Sequence, residues 1–200
     1  NCLVMLTVGT GIGGGVVLGP QSVQGGASGP LVLLGGNKGG AELGHCVVSY
    51  QGLDCNAGSY GSLEAYCQRD SIVQRAVHRL KRHRSSILRA LCDNDFSTLT
   101  PLMLTEAAHQ GDELALEVWD EVGTFLGVGI GTYINVFAPD VFAIGGQIAK
   151  AGDLLLVPAS KAARNVAIPS LFADTTICQA ERIDDAGMIG GAAVAFGGLA

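Results

Sequence analysis

Charged side chains are scarce in this sequence. Only 15% of its 200 residues are Asp, Glu, Lys or Arg, while 48% are hydrophobic. That balance excludes a disordered chain, which cannot bury enough apolar surface to fold, and fits one well-buried domain with a substantial core. An excess of basic charge is lacking as well. The net charge of −6 argues against a general nucleic-acid binder. Arg69, Arg75, Arg79, Lys81, Arg82, Arg84 and Arg89 crowd one segment, which reads as a solvated helix face.

No run of 18 or more apolar residues occurs, so no helical membrane span is expected. The start has no basic region ahead of an apolar one, so it does not read as a secretory leader. Six cysteines (2, 46, 55, 67, 92 and 178) fall without the spacing of a disulfide framework, which fits a reducing cytoplasm. Repeats of fixed period and low-complexity linkers are also missing. Asn1 stands where a Met would open a gene, and a strand begins almost at once. The expectation is therefore a piece of a longer protein.

What is present begins with Leu3–Val8, a strand-length apolar run. It is followed by Gly9-Thr-Gly-Ile-Gly-Gly-Gly15 and a second apolar run, Val16–Leu18. The pattern reads as a β-hairpin whose side-chain-free turn lets backbone N–H groups converge on an anion. Neither the lysine nor the spacing of a P-loop is there, and no helix follows as a dinucleotide fingerprint requires. Further along, Pro20–Gly29 reads as a polar loop, Pro30–Leu34 as a short strand, 35–40 as a second glycine loop and Cys46–Tyr50 as a strand. Helical texture covers 63–92, with Ser62 before it and Glu64 in its first turn. Further helices are expected at Thr105–Gln110 and Asp112–Phe137, the second carrying an apolar stripe through Leu114, Val118, Trp119, Val122, Phe125, Leu126 and Ile130. Val141–Ile144 reads as a buried strand closed by Gly145-Gly146. Asp153–Asn165 is a helix, Thr175–Cys178 a last strand, and Asp184-Asp185 cap a helix over Ala186–Phe196. Strands alternating with helices imply an α/β layer fold.

Four features stand in a fixed order: the glycine hairpin, Glu42-Leu-Gly-His45, a Cys55 loop leading to Leu63-Glu64, and the Ile144-Gly-Gly146 strand end. Taken singly, Glu42 and Glu64 read as surface acids, His45 as a satisfied loop histidine and Gly145-Gly146 as a plain turn. In this order and spacing, the whole chain resembles the carboxyl-terminal lobe of the ROK family, the bacterial repressor and sugar-kinase group. The resemblance implies an α/β, actin-like ATPase (ribonuclease H-like) lobe over residues 1–200, a mixed sheet flanked by helices. It implies ATP-dependent phosphorylation of a hexose, glucose foremost, with Mg2+ accompanying ATP. By the same resemblance, Gly9, Thr10, Gly11 and Gly13 hold ATP phosphates, Gly145 and Gly146 lie under adenosine, and Glu42, His45 and Glu64 bind the sugar. The partners implied are hexose, ATP and a second copy of the chain, in the cytoplasm, with no membrane and no nucleic acid.

The sequence departs from the family pattern in three places. The family's zinc site uses a histidine and a run of three cysteines. Here His45 and Cys55 remain, ten positions apart, but Ala57 and Ser62 stand at the other two positions, so no structural zinc is expected. Pro20–Gly29 resembles an insertion into the hairpin, a cheap place to add residues. The family's catalytic aspartate and first phosphate motif belong to an amino-terminal lobe not found in these residues, so none of them is assigned a catalytic role. Residues 1–200 alone are expected to bind weakly and turn over little. The alternatives are an N-acetylmannosamine, N-acetylglucosamine or fructose kinase, a sugar-responsive transcriptional regulator, and a degenerate sugar-binding protein.

Overall fold

The computed structural model describes residues 2–22, 31–33, 40–55, 57–82 and 85–197. The loop expected at 35–40 and most of the Pro20–Gly29 insertion lie outside those residues. The chain runs β1 (Cys2–Val8), β2 (Ile12–Leu18), β3 (Leu31–Val32), β4 (Asp54–Cys55) and β5 (Ser59–Tyr60). Five helices follow: α1 (Leu63–Cys67), α2 (Arg69–Lys81), α3 (Leu88–Leu91), α4 (Pro101–His109) and α5 (Glu113–Phe137). Then come β6 (Val141–Gly145), α6 (Asp153–Val166), α7 (Pro169–Ala173), β7 (Thr176–Gln179) and α8 (Ala186–Gly197).

The main sheet has the order β3-β2-β1-β6-β7. Alternation along β1 turns Cys2, Val4, Leu6 and Val8 inward, the period-2 signature of a strand with one covered face. β1 and β2 pair antiparallel from Cys2 with Leu18 down to Val8 with Ile12, which leaves Gly9, Thr10 and Gly11 as the hairpin tip. β6 runs parallel to β1, so the chain between them must cross over, and it does so through the helices. This is the mixed sheet flanked by helices that the family resemblance implied.

α5 is the largest contributor to the core. Asp112 caps it by accepting from the Ala115 N–H at 2.9 Å, and its stripe from Leu114 to Tyr133 is buried. Phe125 departs from that stripe: it is only partly buried and stacks on Tyr66, with ring centroids 4.0 Å apart. Among the described residues, no helix is long and apolar enough to cross a membrane.

Several sequence expectations need correction. The helical stretch 63–92 is three helices, broken at Gln68, whose ψ of 158° is extended. The break frees the Arg69 N–H to donate to the Gly9 carbonyl at 2.9 Å, a long-range bond that local propensity cannot encode. Cys46–Tyr50 is not a strand; Val47 alone bridges to Ser62. The helix expected from Thr105 starts at Pro101, with Thr100 accepting from the Met103 N–H, and a proline in the first turn is a legible start signal. At the start of α8 the Asp184 carboxylate accepts from Lys150 and Gln147, and the Asp185 carbonyl receives the Ile189 N–H at 3.0 Å. The basic face is only partly solvated, because Arg75 and Arg79 pair with Glu121 on α5 at 2.9 and 2.6 Å.

Candidate functional site

The hairpin tip, the turn at 42–45 and the start of α1 meet at the same end of the sheet. Ser62 caps α1 by accepting from the Ala65 N–H at 3.2 Å, which sets Glu64 in the first turn. Its Oε2 accepts from the Ile12 N–H at 2.7 Å, so the carboxylate is fastened to the base of the glycine tip. A Cβ on Gly11 would stand 2.7 Å from that same oxygen, which explains why Gly11 carries none.

Glu42 and His45 flank the short turn Leu43–His45, whose Leu43 and Gly44 are buried. Two contacts hold the turn. Gly44 packs directly on the Ile12 backbone carbonyl, leaving no room for a side chain. Tyr133 of α5, itself buried, donates its hydroxyl to the Leu43 carbonyl. Burial raises the Tyr133 pKa well above the ordinary phenol value, so the donor is protonated throughout the physiological range. Downstream, the Leu63 and Val48 N–H groups donate to the Cys46 and Gly61 carbonyls at 2.9 and 2.8 Å. The loop is thus fixed by backbone bonds.

Glu42, His45, Glu64, the tip from Gly9 to Gly13 and Gly146 line one cavity of about 470 Å3. Glu42 is exposed and Glu64 half-buried. Gly145 lies beyond the rim, beneath the Met5 side chain. Gly146 has φ of +83°, and its Cβ position is blocked by the Val8 backbone, so its identity is required by the sheet itself. Within the tip, Gly9 spends its N–H on the Gly11 carbonyl at 2.9 Å, and its own carbonyl receives Arg69. Thr10, exposed, and Gly11, half-buried, both line the cavity.

A second cavity of about 440 Å3 lies behind Gly146 and Arg69, among Thr100, Thr105, Trp119, Gln147 and Lys150. Sequence reading assigned none of these residues to a site. The Pro101 helix start next to Thr100 was the available signal.

His45 Nδ1 lies 3.6 Å from Cys55 Sγ, which lies 3.9 Å from Glu64 Oε1. The four-donor zinc set of the resemblance does not form: Ala57 has no donor, and the buried Ser62 hydroxyl is committed to capping α1. Cys67 is no substitute. Its buried thiol donates to the Val122 carbonyl, and burial pushes its pKa up to about 12.

The model of the ROK family matches residues 1–197. The chain belongs to the ROK family. A glucokinase from Thermotoga maritima is 34% identical over 96% of this chain. The DNA-binding transcriptional repressor Mlc of Escherichia coli is 31% identical over 82% of it. A ROK family glucokinase from Streptomyces griseus, solved in complex with glucose and AMPPNP, superposes with a TM-score of 0.82 at 28% identity, covering 96% of this chain and 60% of that one. The chain therefore has the actin-like ATPase fold of the ROK sugar kinases. It spans 57% of the length of the Thermotoga protein and 38% of the repressor.

Proposed function

We propose that the intact protein phosphorylates a hexose, glucose foremost, with ATP and Mg2+ in the cytoplasm, and that this lobe supplies the hexose site and half of the nucleotide site. The observation that carries the reading is the convergence of Glu42, His45 and Glu64 on the glycine tip within one cavity. Sugar hydroxyls need several acceptors held in place, and two carboxylates beside an imidazole provide them. The Thr10 and Gly11 N–H groups and the Thr10 hydroxyl face the phosphates, with Gly13 behind them. The base lies over Gly146, backed by Gly145, toward the cavity of Thr100 and Lys150. Mg2+ is held mainly by phosphates and water.

Phosphoryl transfer then depends on in-line positioning and on a carboxylate that takes the hydroxyl proton. Glu64 is committed to Ile12 and is not that base. The base comes from a region outside this sequence, and residues 1–200 form the carboxyl-terminal lobe of a homodimer-forming kinase.

A coupled assay on the intact protein tests this. Turnover with glucose and ATP is expected, with fructose, N-acetylglucosamine and N-acetylmannosamine less efficient, and little or none from residues 1–200 alone. Glu64→Gln is expected to weaken glucose binding by about 10- to 100-fold, the scale of one charged hydrogen bond. The similarity to Mlc supports a second reading, a sugar-responsive regulator. Glucose binding without turnover, together with glucose-sensitive DNA binding, would decide for it.

A further inference from the structure

We propose that the cavity along α2 binds a small organic phosphate, with Arg79, Lys81 and Arg82 gripping the phosphate and Leu53, Tyr66 and Val77 covering its organic body. The proposal stands apart from the hexose reading. No residue lining this cavity lines either of the two described above.

Charge here runs against the rest of the chain. The protein carries a net charge of −6, yet this cavity of about 910 Å3 sets Arg75, Arg79, Lys81 and Arg82 against the carboxylate of Glu121. Both oxygens of that carboxylate are taken, Oε1 by Arg75 Nε at 2.9 Å and Oε2 by Arg79 Nη2 at 2.6 Å. Arg75 also donates to the Tyr66 carbonyl at 3.0 Å and lies over the Phe125 ring. Glu117 reaches Arg79 Nε at 3.7 Å, so four cations still face only two carboxylates. Lys81 and Arg82, both exposed, form no ion pair with a described residue. The helix dipole favours cations in the last turn of α2, but it does not account for Arg75, near the middle of the helix.

The surplus is arranged for a phosphate. Guanidinium forks match the oxygens of a phosphate monoester, and a lysine adds a mobile point charge. Glu121 holds the two arginines in place beforehand, which lowers the ordering cost of binding. The α-helix rises about 1.5 Å per residue, so Lys81 and Arg82 stand roughly 10 Å along the axis from Arg75. A small ligand spans that length, and the volume falls in the range of about 300–1,000 Å3 usual for small-molecule sites. The other wall is apolar. Tyr66 is buried and stacked on Phe125, whereas Leu53 is left half in solvent beside the cations. An organic body on the phosphate covers that leucine; inorganic phosphate does not.

The test is calorimetry on the intact protein saturated with glucose and AMPPNP, which keeps the probe out of the other two cavities. The probes are phenyl phosphate, glucose 6-phosphate and inorganic phosphate. We expect one site per chain, with at least one organic probe binding at least tenfold tighter than inorganic phosphate, and weaker binding in high salt. Lys81→Glu combined with Arg82→Glu should reduce that affinity at least tenfold and leave glucose affinity unchanged. Leu53→Asn should bring organic and inorganic probes to within about threefold of each other. Thermal unfolding checks that the variants fold; if the double variant does not, Lys81→Gln and Leu53→Asn decide. No binding, or binding that survives charge reversal, overturns the site whether or not glucose binds. Organic probes no tighter than inorganic phosphate, or a preference that survives Leu53→Asn, overturn the apolar wall and with it the ligand class. A phosphoserine peptide that binds where the small probes do not overturns the proposal in favour of a protein-docking face.

Discussion

Along α5, Gly123, Gly127 and Gly131 recur every four residues and face α6, where each is pressed against the neighbouring backbone or its side chains. In residues 40–68, Gly44, Gly52 and Gly61 follow no period, and each is pressed against one or two groups: Gly44 on the Ile12 carbonyl, Gly52 on the Tyr66 hydroxyl and the Ser49 carbonyl, and Gly61 on the Ser49 carbonyl. The first arrangement distributes close approach along a seam, so the two helices are held by many small contacts. The second concentrates it at points, so a loop with little regular structure keeps its shape through a few fixed touches. Damage to the seam should therefore appear as lost stability, and damage to the points as lost ligand binding.

The largest effect is expected at the seam. Gly127→Val would drive a branched side chain into the Ala159 carbonyl and the Ala162 methyl, and α6 would have to move away from α5. Overpacking against backbone that cannot yield should cost about 3 kcal/mol or more in urea unfolding of the intact protein. A loss below about 1 kcal/mol would mean that the seam is looser than its glycine spacing implies.

Gly44→Ala probes a point contact. The added methyl meets the Ile12 carbonyl and lifts the turn that carries Glu42 and His45 off β2. We expect about 2 kcal/mol of destabilisation and a fall in glucose affinity of at least tenfold, measured by calorimetry. An unchanged affinity in a destabilised protein would break the distinction between seam and points.

The helix that carries the seam was legible in the sequence; its glycine contacts with α6 and much of the loop were not. The apolar run of β1, bounded by glycines, and the apolar stripe of α5 are signals that survive without tertiary information, and Ser62 before Glu64 marked a helix start correctly. The residues that face the cavity were found through the order of their motifs and not through any local pattern. Tyr133 was missed because, within a buried stripe, a tyrosine reads like any other large side chain; only its reach to the Leu43 carbonyl sets it apart. The break at Gln68 was missed because its cause, the Gly9 carbonyl, lies 60 residues away in the chain. The meeting of Cys55 with Glu64 depends on the β4–β5 fold-back, whose two-residue strands carry almost no period.

Tyr133→Phe sharpens the comparison at a smaller scale. It leaves the seam's packing intact and removes one of two donors to the buried Leu43 carbonyl, the Cys46 N–H at 3.4 Å remaining, for about 1 kcal/mol. The pH dependence gives a second readout. The phenol's pKa is raised in the folded state, so its contribution is complete below about pH 10, where the unfolded phenol starts to ionise, and is lost as pH rises beyond that. Cys67, pushed up to about 12, adds a loss in the same direction that begins near the ordinary thiol value of about 9. The variant should keep the Cys67 part of the alkaline decline and lose the tyrosine part.

The smallest effect belongs to a contact that is neither seam nor point. Asp184 is fully exposed, and its carboxyl is held below the ordinary aspartate range by hydrogen bonds from Lys150 and Gln147 and by the Lys150 charge. A lowered folded-state pKa contributes stability above the unfolded value and loses it as pH falls through the folded one, so any effect lies on the acid side. Solvent screens a pair of this kind, and global unfolding should not register its removal. What should change is local. In Lys150→Met the Asp184 carboxyl should titrate closer to the ordinary aspartate value by NMR, because its principal donor is gone while Gln147 remains. Since Gln147 and Lys150 continue the chain from Gly146, the same variant tests whether this tether positions the rear cavity: a weaker nucleotide affinity with unchanged glucose affinity would place the contact's effect there, and no change in either would confine it to the surface.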